Sequence, residues 1–172
     1  MSGRLRRVST HRRHLLCRGW ELLRTPPGFA SGAEELGDGD WVSVGSLGTV
    51  AHCELEAGRW SLNATSRACF DADDWWYRVR FDIPAQPESA EVVLGFEGLA
   101  TLCEVWLNGV LLLRSENMFV AIEVPVTEQL RQSANDLVLC FRSLEAALTV
   151  KRPRPSWRVP MLSQQQLRWH RT

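Results

Sequence analysis

Residues 73–84 read Asp-Asp-Trp-Trp-Tyr-Arg-Val-Arg-Phe-Asp-Ile-Pro and decide the fold of this chain. From Tyr77 onward, apolar and polar side chains alternate, which is the pattern of a β-strand with one buried face. Pro84 has no N–H to donate to a neighbouring strand, so the strand is predicted to end there. The face predicted to be buried carries Tyr77, Val79, Phe81 and Ile83, and the opposite face carries Trp76, Arg78, Arg80 and Asp82.

Two carboxylates and two indoles stand at the start of this strand: Asp73, Asp74, Trp75 and Trp76. Carboxylates accept hydrogen bonds from hydroxyl groups, and an indole face packs on apolar C–H surfaces, so this composition suits carbohydrate binding. The alternative is structural: the Trp side chains pack at the edge of a β-sandwich, and the Asp side chains cap a turn. In the first interpretation, all four of these residues are candidates for sugar binding.

Four segments further along the chain alternate in the same way, around residues 91–97, 103–108, 120–124 and 135–141. Asn108-Gly109 favours positive φ at both turn positions, which predicts a tight β-hairpin with a return strand from Val110. Short strands with turn signals between them and little helix predict an all-β fold, an antiparallel β-sandwich. The predicted core consists of Tyr77, Val79, Phe81, Val92, Leu94, Phe96, Val105, Leu107, Leu137, Leu139 and Phe141.

The length of 172 residues suits one domain, but the charge is unevenly distributed along it. Residues 1–19 carry six Arg and no acid, and residues 151–172 carry one Lys, five Arg and no acid. Residues 20–150 carry eight basic and all 20 acidic residues, a net charge of −12. We expect a basic, flexible N-terminus over 1–19, the sandwich over 20–150, and a basic C-terminal segment over 151–172 that leads to missing downstream domains. Basic ends suit nucleic acid, but the acidic body opposes it, so no such partner is expected.

Membrane, metal and cofactor signals are lacking in the sequence. No apolar run reaches transmembrane length, and Leu15-Leu16-Cys17 is too short for the apolar part of a secretory signal, so no membrane partner is expected. The five cysteines form no Cys-x-x-Cys pair, which argues against a disulfide framework or a metal site. A reducing compartment, the cytoplasm, is the simpler inference, and no cofactor is expected.

Five segments occur in an order typical of a known family: Asp74-Trp75-Trp76-Tyr77-Arg78, Phe96-Glu97-Gly98-Leu99-Ala100, Val105-Trp106-Leu107-Asn108-Gly109, Glu116-Asn117-Met118-Phe119 and Asn135-Asp136-Leu137. Together they resemble the N-terminal sugar-binding domain of family 2 glycoside hydrolases, most of all the β-mannosidase branch. Upstream, Gly48-Thr49-Val50 resembles that branch's Pro-Gly-Thr-Val segment, with Leu47 in place of Pro. The resemblance covers about residues 20–172 and implies a jelly-roll sandwich of the galactose-binding-domain type.

The family implies an immunoglobulin-like domain and a TIM barrel with two catalytic Glu after the sandwich. Its chemistry is retaining hydrolysis of O-glycosyl bonds, for which two carboxylates stand about 5 Å apart. A TIM barrel needs about 250 residues, more than this chain has. Asp73 and Asp74 are neighbours in a strand and point to opposite faces, which is poor geometry for such a pair. We therefore expect no catalytic residue here and no activity from this chain alone.

The resemblance also implies that an Asn before the Asp-Trp strand, and the segment after the last strand, approach the bound sugar. The matching Asn is Asn63, whose amide offers donors and an acceptor to a pair of hydroxyls; a turn residue is the alternative. The branch's Trp-Asp-Trp-Gly-Pro segment is not present after the last strand, and Trp157 is the substitute candidate. Asn117 is a further candidate, with a role in turning the chain before Phe119 as the alternative.

Two functions fit these observations. The first is a non-catalytic N-terminal carbohydrate-binding domain of a family 2 glycoside hydrolase, β-mannosidase- or β-galactosidase-like, with a β-glycoside and the downstream domains as partners. The second is a stand-alone carbohydrate-binding module, which would bind sugar by itself. Because Trp76 and Trp106 are predicted on outward faces, we expect downstream domains to cover them, and we expect the isolated chain to associate.

Overall fold

The computed structural model describes residues 12–63, 68–84, 90–151, 153 and 160. Its strands are β1 (Trp20–Thr25), β2 (Val42–Ser43), β3 (Asp74–Phe81), β4 (Val93–Phe96), β5 (Cys103–Leu107), β6 (Val110–Ser115), β7 (Ile122–Pro125) and β8 (Asn135–Phe141). Its helices are α1 (Val50–Glu56) and α2 (Leu144–Leu148), with short 3-10 turns at Ala33–Leu36 and Phe70–Ala72. Neither α-helix is long and apolar enough to cross a membrane, and this holds for the described ranges.

Two antiparallel sheets build the domain. The larger sheet has six strands in the order β2-β1-β3-β8-β5-β6, and the smaller sheet pairs β4 with β7. The strand that starts at Asp74 lies in the middle of the larger sheet, between β1 and β8. The predicted all-β fold, an antiparallel β-sandwich, is confirmed.

The hairpin between β5 and β6 turns at Asn108-Gly109, as predicted. Asn108 has φ of 53° and Gly109 has φ of 84°, the positive values that a two-residue turn of this kind requires. The Asn108 backbone N–H donates to the Asp136 carbonyl at 2.8 Å, and the Asp136 N–H donates to the Asn108 side-chain oxygen at 2.9 Å. The Asn108 amide also donates to the Gln129 carbonyl at 2.6 Å. The tip of the hairpin is therefore fixed against the start of β8.

The inner core lies between the six-stranded sheet and the β4–β7 pair. Six predicted core residues are buried in it: Tyr77, Val79, Val105, Leu107, Leu137 and Leu139. The other five are partly buried and pack against the same cluster: Phe81, Val92, Leu94, Phe96 and Phe141. Alternation of apolar residues thus identified the inward face of each strand correctly.

A second core lies on the opposite face of the six-stranded sheet, where sequence alone predicted exposure. Trp76 is 0% exposed and Trp106 is 4% exposed, and their ring centroids are 5.6 Å apart. The segment of residues 26–41 lies over them, because its Ala30 and Leu36 are buried in the same cluster. The prediction that these two Trp face outward toward downstream domains is wrong, and the argument for association that depended on it no longer applies.

Arg78 on the same face is also buried, although it is charged. Its guanidinium carbon lies 4.0 Å from the centroid of the Trp41 ring, and its Nη2 atom is 2.8 Å from a Glu21 carboxylate oxygen. A guanidinium is weakly hydrated and stacks well on an aromatic face. The chain therefore buries Arg78 by giving its guanidinium both a carboxylate and an indole.

The outer core yields a stability prediction. Trp76→Ala should lower the free energy of unfolding by about 3–5 kcal/mol, because it removes a large buried side chain and leaves a cavity. The matched control is Phe119→Ala, which removes an aromatic ring that is 70% exposed and should change stability by about 0.5 kcal/mol or less. Urea unfolding of both variants measures the difference. Equal, small losses would mean that residues 26–41 do not cover Trp76 in solution.

Candidate functional site

The two neighbouring carboxylates at the start of β3 have different environments. Asp73 accepts a hydrogen bond from Arg24 Nε at 2.7 Å, and most of the Arg24 side chain is exposed. Asp74 is buried on the other side of the strand. The predicted divergence of the two side chains follows from the period of two in a β-strand, and it gives each carboxylate its own set of partners.

Asp74 joins three segments of the chain that are distant in sequence. Its Oδ1 accepts from the Ser143 backbone N–H at 2.7 Å. Its Oδ2 accepts from the Gly28 N–H at 3.0 Å and from Arg142 Nη1 at 2.9 Å. A buried carboxylate is tolerated only when it is paired and hydrogen-bonded, and both oxygens of Asp74 meet this requirement. Asp74 therefore links the covering segment, the central strand and the start of α2.

Arg142 lies beside Asp74, and its guanidinium donates hydrogen bonds to other groups of the protein. Its Nε donates to Glu104 at 2.8 Å, and its Nη1 donates to the Ala30 carbonyl at 2.8 Å. The guanidinium carbon lies 4.9 Å from the Trp76 ring centroid. Glu104 also accepts from Arg114 Nε at 2.7 Å. Two carboxylates and two guanidiniums thus form one network, which reaches from the buried Asp74 to the largely exposed Arg114. The guanidinium of Arg142 lies against the buried Trp pair.

An open depression of about 450 Å³ lies over this network. Asp74, Glu104, Arg114 and Arg142 line it together with Gly28 and Ser143. Glycoside hydrolysis of the retaining kind needs one carboxylate as nucleophile and another as acid. Asp74 and Glu104 both accept hydrogen bonds from Arg142, so their oxygens are engaged in holding the fold. This arrangement suits a structural ion network rather than a catalytic pair.

Three aromatic rings pack in a row that leads to the start of β3. We call these residues, Trp60, Phe70 and Trp75, the aromatic row. The ring centroids of Trp60 and Phe70 are 5.5 Å apart, with an interplanar angle of 82°. Those of Phe70 and Trp75 are 6.2 Å apart, with an angle of 62°. The Trp75 indole N–H donates to the Phe70 carbonyl at 2.8 Å. Edge-to-face contacts of this kind are favourable, so the row holds Trp60 and Phe70 against the sheet at Trp75.

The predicted site residues are divided between the interior and the surface. Asp74, Trp75 and Trp76 are buried, so they hold the fold and are not open to a ligand. Asn63 is exposed in a turn, whereas the Asp73 side chain is partly buried beside the exposed Arg24. Their sugar-binding role remains a prediction.

Asn117 and Trp157 complete the predicted site residues. The Asn117 side-chain oxygen accepts from the Phe119 N–H at 3.1 Å, which is the alternative role in turning the chain. Trp157 lies outside the described residues. Sequence reasoning did not single out Arg142, Glu104, Trp60 or Phe70. The position of Trp60 three residues before Asn63 was the one available signal for the aromatic row.

Thiols and metal ligands offer no further chemistry in the described ranges. All five cysteines are free, and Cys53, Cys103 and Cys140 are buried. Burial raises the pKa of each of these three thiols, so none is a ready nucleophile at neutral pH. No group of three His, Cys, Asp or Glu side chains there could hold a metal ion.

The fold is a β-sandwich, and the carboxylates of Asp74 and Glu104 that line its open depression belong to an ion network that suits a structural role. A family model described as "Glycosyl hydrolase 2 galactose-binding domain-like" matches residues 31–171. The chain belongs to this family, and the suspected resemblance is confirmed.

Individual relatives agree with the family match. The chain is 45% identical to "Beta-mannosidase B" of Thermothelomyces thermophilus over 69 residues, which are 40% of this chain and 8% of that protein. It is 32% identical to "Beta-mannosidase B" of Emericella nidulans over 123 residues, which are 68% of this chain and 14% of that protein. The chain therefore spans a small part of the length of these relatives.

Solved structures share the fold. The β-D-mannosidase of Dictyoglomus thermophilum aligns with a TM-score of 0.68 at 22% identity, over 88% of this chain and 18% of that chain. The β-glucuronidase of Ruminococcus gnavus aligns with a TM-score of 0.56 at 20% identity, over 74% of this chain and 20% of that chain. At these identities the likeness establishes the sandwich architecture.

The ion network yields a stability prediction with a neighbouring control. Asp74→Ala should lower the free energy of unfolding by about 3–5 kcal/mol, because it leaves the Gly28 and Ser143 N–H groups without an acceptor and removes one of the two carboxylates that pair with Arg142. Asp73→Ala removes a carboxylate whose partner, Arg24, is largely exposed, and it should cost about 1 kcal/mol or less. Urea unfolding at neutral pH measures both. Similar losses in the two variants would contradict the assignment of Asp74 as the structural link.

The buried thiols yield a pH prediction. In the unfolded chain, Cys103 and Cys140 ionise near pH 8.5, whereas burial raises the pKa of both thiols in the folded protein. The unfolded state therefore loses protons that the folded state keeps, and stability falls as the pH rises above about 8.5. Between pH 8 and 9.5, urea unfolding under reducing conditions should show a loss of about 1 kcal/mol for each thiol. The Cys103→Ala and Cys140→Ala variants should each flatten this dependence, and an unchanged slope in both would exclude the thiols as its origin.

Proposed function

We propose that this chain is a non-catalytic, sugar-facing domain at the N-terminal end of a family 2 glycoside hydrolase, and that the parent enzyme hydrolyses β-mannosides. The choice of substrate class is supported by relatives named "Beta-mannosidase B", which match the chain at 45% and 32% identity. The family model over residues 31–171 supports the family 2 assignment. The parent's remaining length, in this proposal, carries the catalytic carboxylates.

The single observation that carries the non-catalytic role is the engagement of Asp74 and Glu104 by Arg142. A general acid must hold a proton and release it to the leaving group. Glu104 accepts from two guanidiniums, and Asp74 is buried, so neither presents a proton to a substrate. Hydrolysis in the parent therefore requires carboxylates supplied by its downstream domains, which are the proposed protein partners of this chain.

The sugar-facing part of the domain is proposed to be the surface around Asn63 and Asp73. Asn63 is exposed, and its amide can donate to one hydroxyl and accept from another. The Asp73 side chain is 17% exposed and binds Arg24 through Oδ2, so its Oδ1 is the oxygen proposed to accept from a hydroxyl. A cytoplasmic location is also proposed, because all five cysteines are free thiols and such thiols suit a reducing compartment.

Titration of the purified chain with mannobiose, galactose and glucuronate tests this function. We expect the Asn63 side-chain amide signals to shift in ¹⁵N NMR with mannobiose, with a dissociation constant of about 10 mM or weaker, because a few surface hydrogen bonds contribute little affinity. Asn63→Ala should abolish the response, and Leu62→Ala, which changes a highly exposed apolar neighbour, should leave it unchanged. We also expect no release of nitrophenol from nitrophenyl β-mannoside.

Two outcomes would contradict the proposal. Absence of any saturable shift up to about 100 mM mannobiose, well above the expected constant, would remove the sugar-facing role. Turnover of the nitrophenyl substrate that is lost in a variant within residues 20–150 would overturn the non-catalytic role. Micromolar affinity for a sugar would favour the stand-alone carbohydrate-binding module instead.

A further inference from the structure

The aromatic row ends in a partly exposed indole, that of Trp60, which packing against the sheet does not require. Its inner member, Trp75, is buried, whereas Trp60 at its outer end is only partly buried. Phe70 contacts both, with centroid distances of 5.5 Å to Trp60 and 6.2 Å to Trp75. The row therefore carries an indole from the sheet out to the surface and supports it there by an edge-to-face contact.

The position of Trp60 is also fixed by its backbone. Its N–H donates to the Glu54 carbonyl at 3.2 Å, and the Arg59 N–H donates to the same carbonyl at 2.9 Å. The Arg59 side chain donates from Nε to both oxygens of Glu54, at 3.1 and 3.0 Å. These bonds hold the turn that follows α1. An indole held in place before a ligand arrives loses little conformational freedom on binding, which favours affinity.

Trp60 lies close to the residue proposed to face the sugar. Asn63 follows it by three residues, so their Cα atoms are at most about 11 Å apart. Trp60 and Phe70, which lie on either side of Asn63 in the sequence, are in contact. A partly exposed indole and an exposed amide on one short segment match the two faces of a pyranose, whose C–H groups are apolar and whose hydroxyls are polar.

We propose that Trp60 is a sugar-stacking residue, which packs its indole on the C–H face of a hexopyranoside whose hydroxyls bind Asn63. The inference rests on the proposed sugar-facing function and adds the residue that supplies the apolar contact. It assigns Phe70 a supporting role, because Phe70 contacts the Trp60 indole edge-to-face and connects it to the buried Trp75.

The test is NMR of the full 172-residue chain with mannobiose as the probe. Stacking places sugar C–H protons against the indole, so we expect intermolecular nuclear Overhauser effects between mannobiose ring protons and Trp60 ring protons. Trp60→Leu should raise the dissociation constant about fivefold, whereas Trp60→Phe, which keeps an aromatic face, should raise it by less than about twofold. Leu62→Ala is the matched control, since Leu62 is a highly exposed apolar residue of the same segment, and it should leave the constant unchanged.

The outcomes separate this inference from the function on which it rests. Shifts at Asn63 without Overhauser effects to Trp60, and with unchanged affinity in Trp60→Leu, would overturn the stacking role and leave the sugar-facing function standing. A purely structural Trp60 would show two signs: displaced Asn63 signals in the sugar-free Trp60→Leu protein, and no intermolecular Overhauser effects to the Trp60 ring in the unsubstituted chain. These two signs together would also overturn the stacking role. No response anywhere in the chain would overturn both.

Discussion

The buried ion pair between Asp74 and Arg142 is the interaction on which the rest of this domain depends. It joins the central strand β3 to the end of β8, and Asp74 also holds the Gly28 and Ser143 backbone N–H groups. A carboxylate buried in this way would be strongly destabilising alone, but it is tolerated because every oxygen has a partner. The covering segment of residues 26–41 and the helix α2 are both held at this point.

That segment makes the six-stranded sheet a layer with two buried faces. The inner face packs against β4 and β7 through residues such as Tyr77 and Val105. The outer face packs Trp76 and Trp106 under Ala30 and Leu36. A sheet of six strands with both faces covered buries more apolar surface than the sequence pattern implies, which is a large favourable contribution for a chain of this size.

The strands, the Asn108-Gly109 turn and the inner core were predictable, because alternation and turn chemistry are local properties of the sequence. The outer core was not, since residues 28–40 contain few apolar residues and read as a loop. Whether such a loop lies on a sheet is decided by distant partners, here Asp74 and Arg142, which pair across 68 residues. The same limit applies to the candidate site. Asn63 was singled out through the family resemblance, and its role stays a prediction, whereas the contact between Trp60 and Phe70 depends on tertiary packing.

Some polar and aromatic groups of this domain are engaged in holding the fold, and others are free of that role. This difference decides where the domain can recognise a ligand. The acidic and basic side chains near β3 form ion pairs with one another. A ligand that competed for Asp74 or Glu104 would therefore break the network that holds residues 26–41. Recognition that leaves the fold intact must therefore use groups at the margin of the sheet. In the proposed function those groups are the partly exposed Trp60 and the exposed Asn63, and Trp60 packs through Phe70 on Trp75 of β3. The same strand thus stabilises the domain through its buried carboxylate and, in this proposal, supports the sugar-facing residues through Trp75.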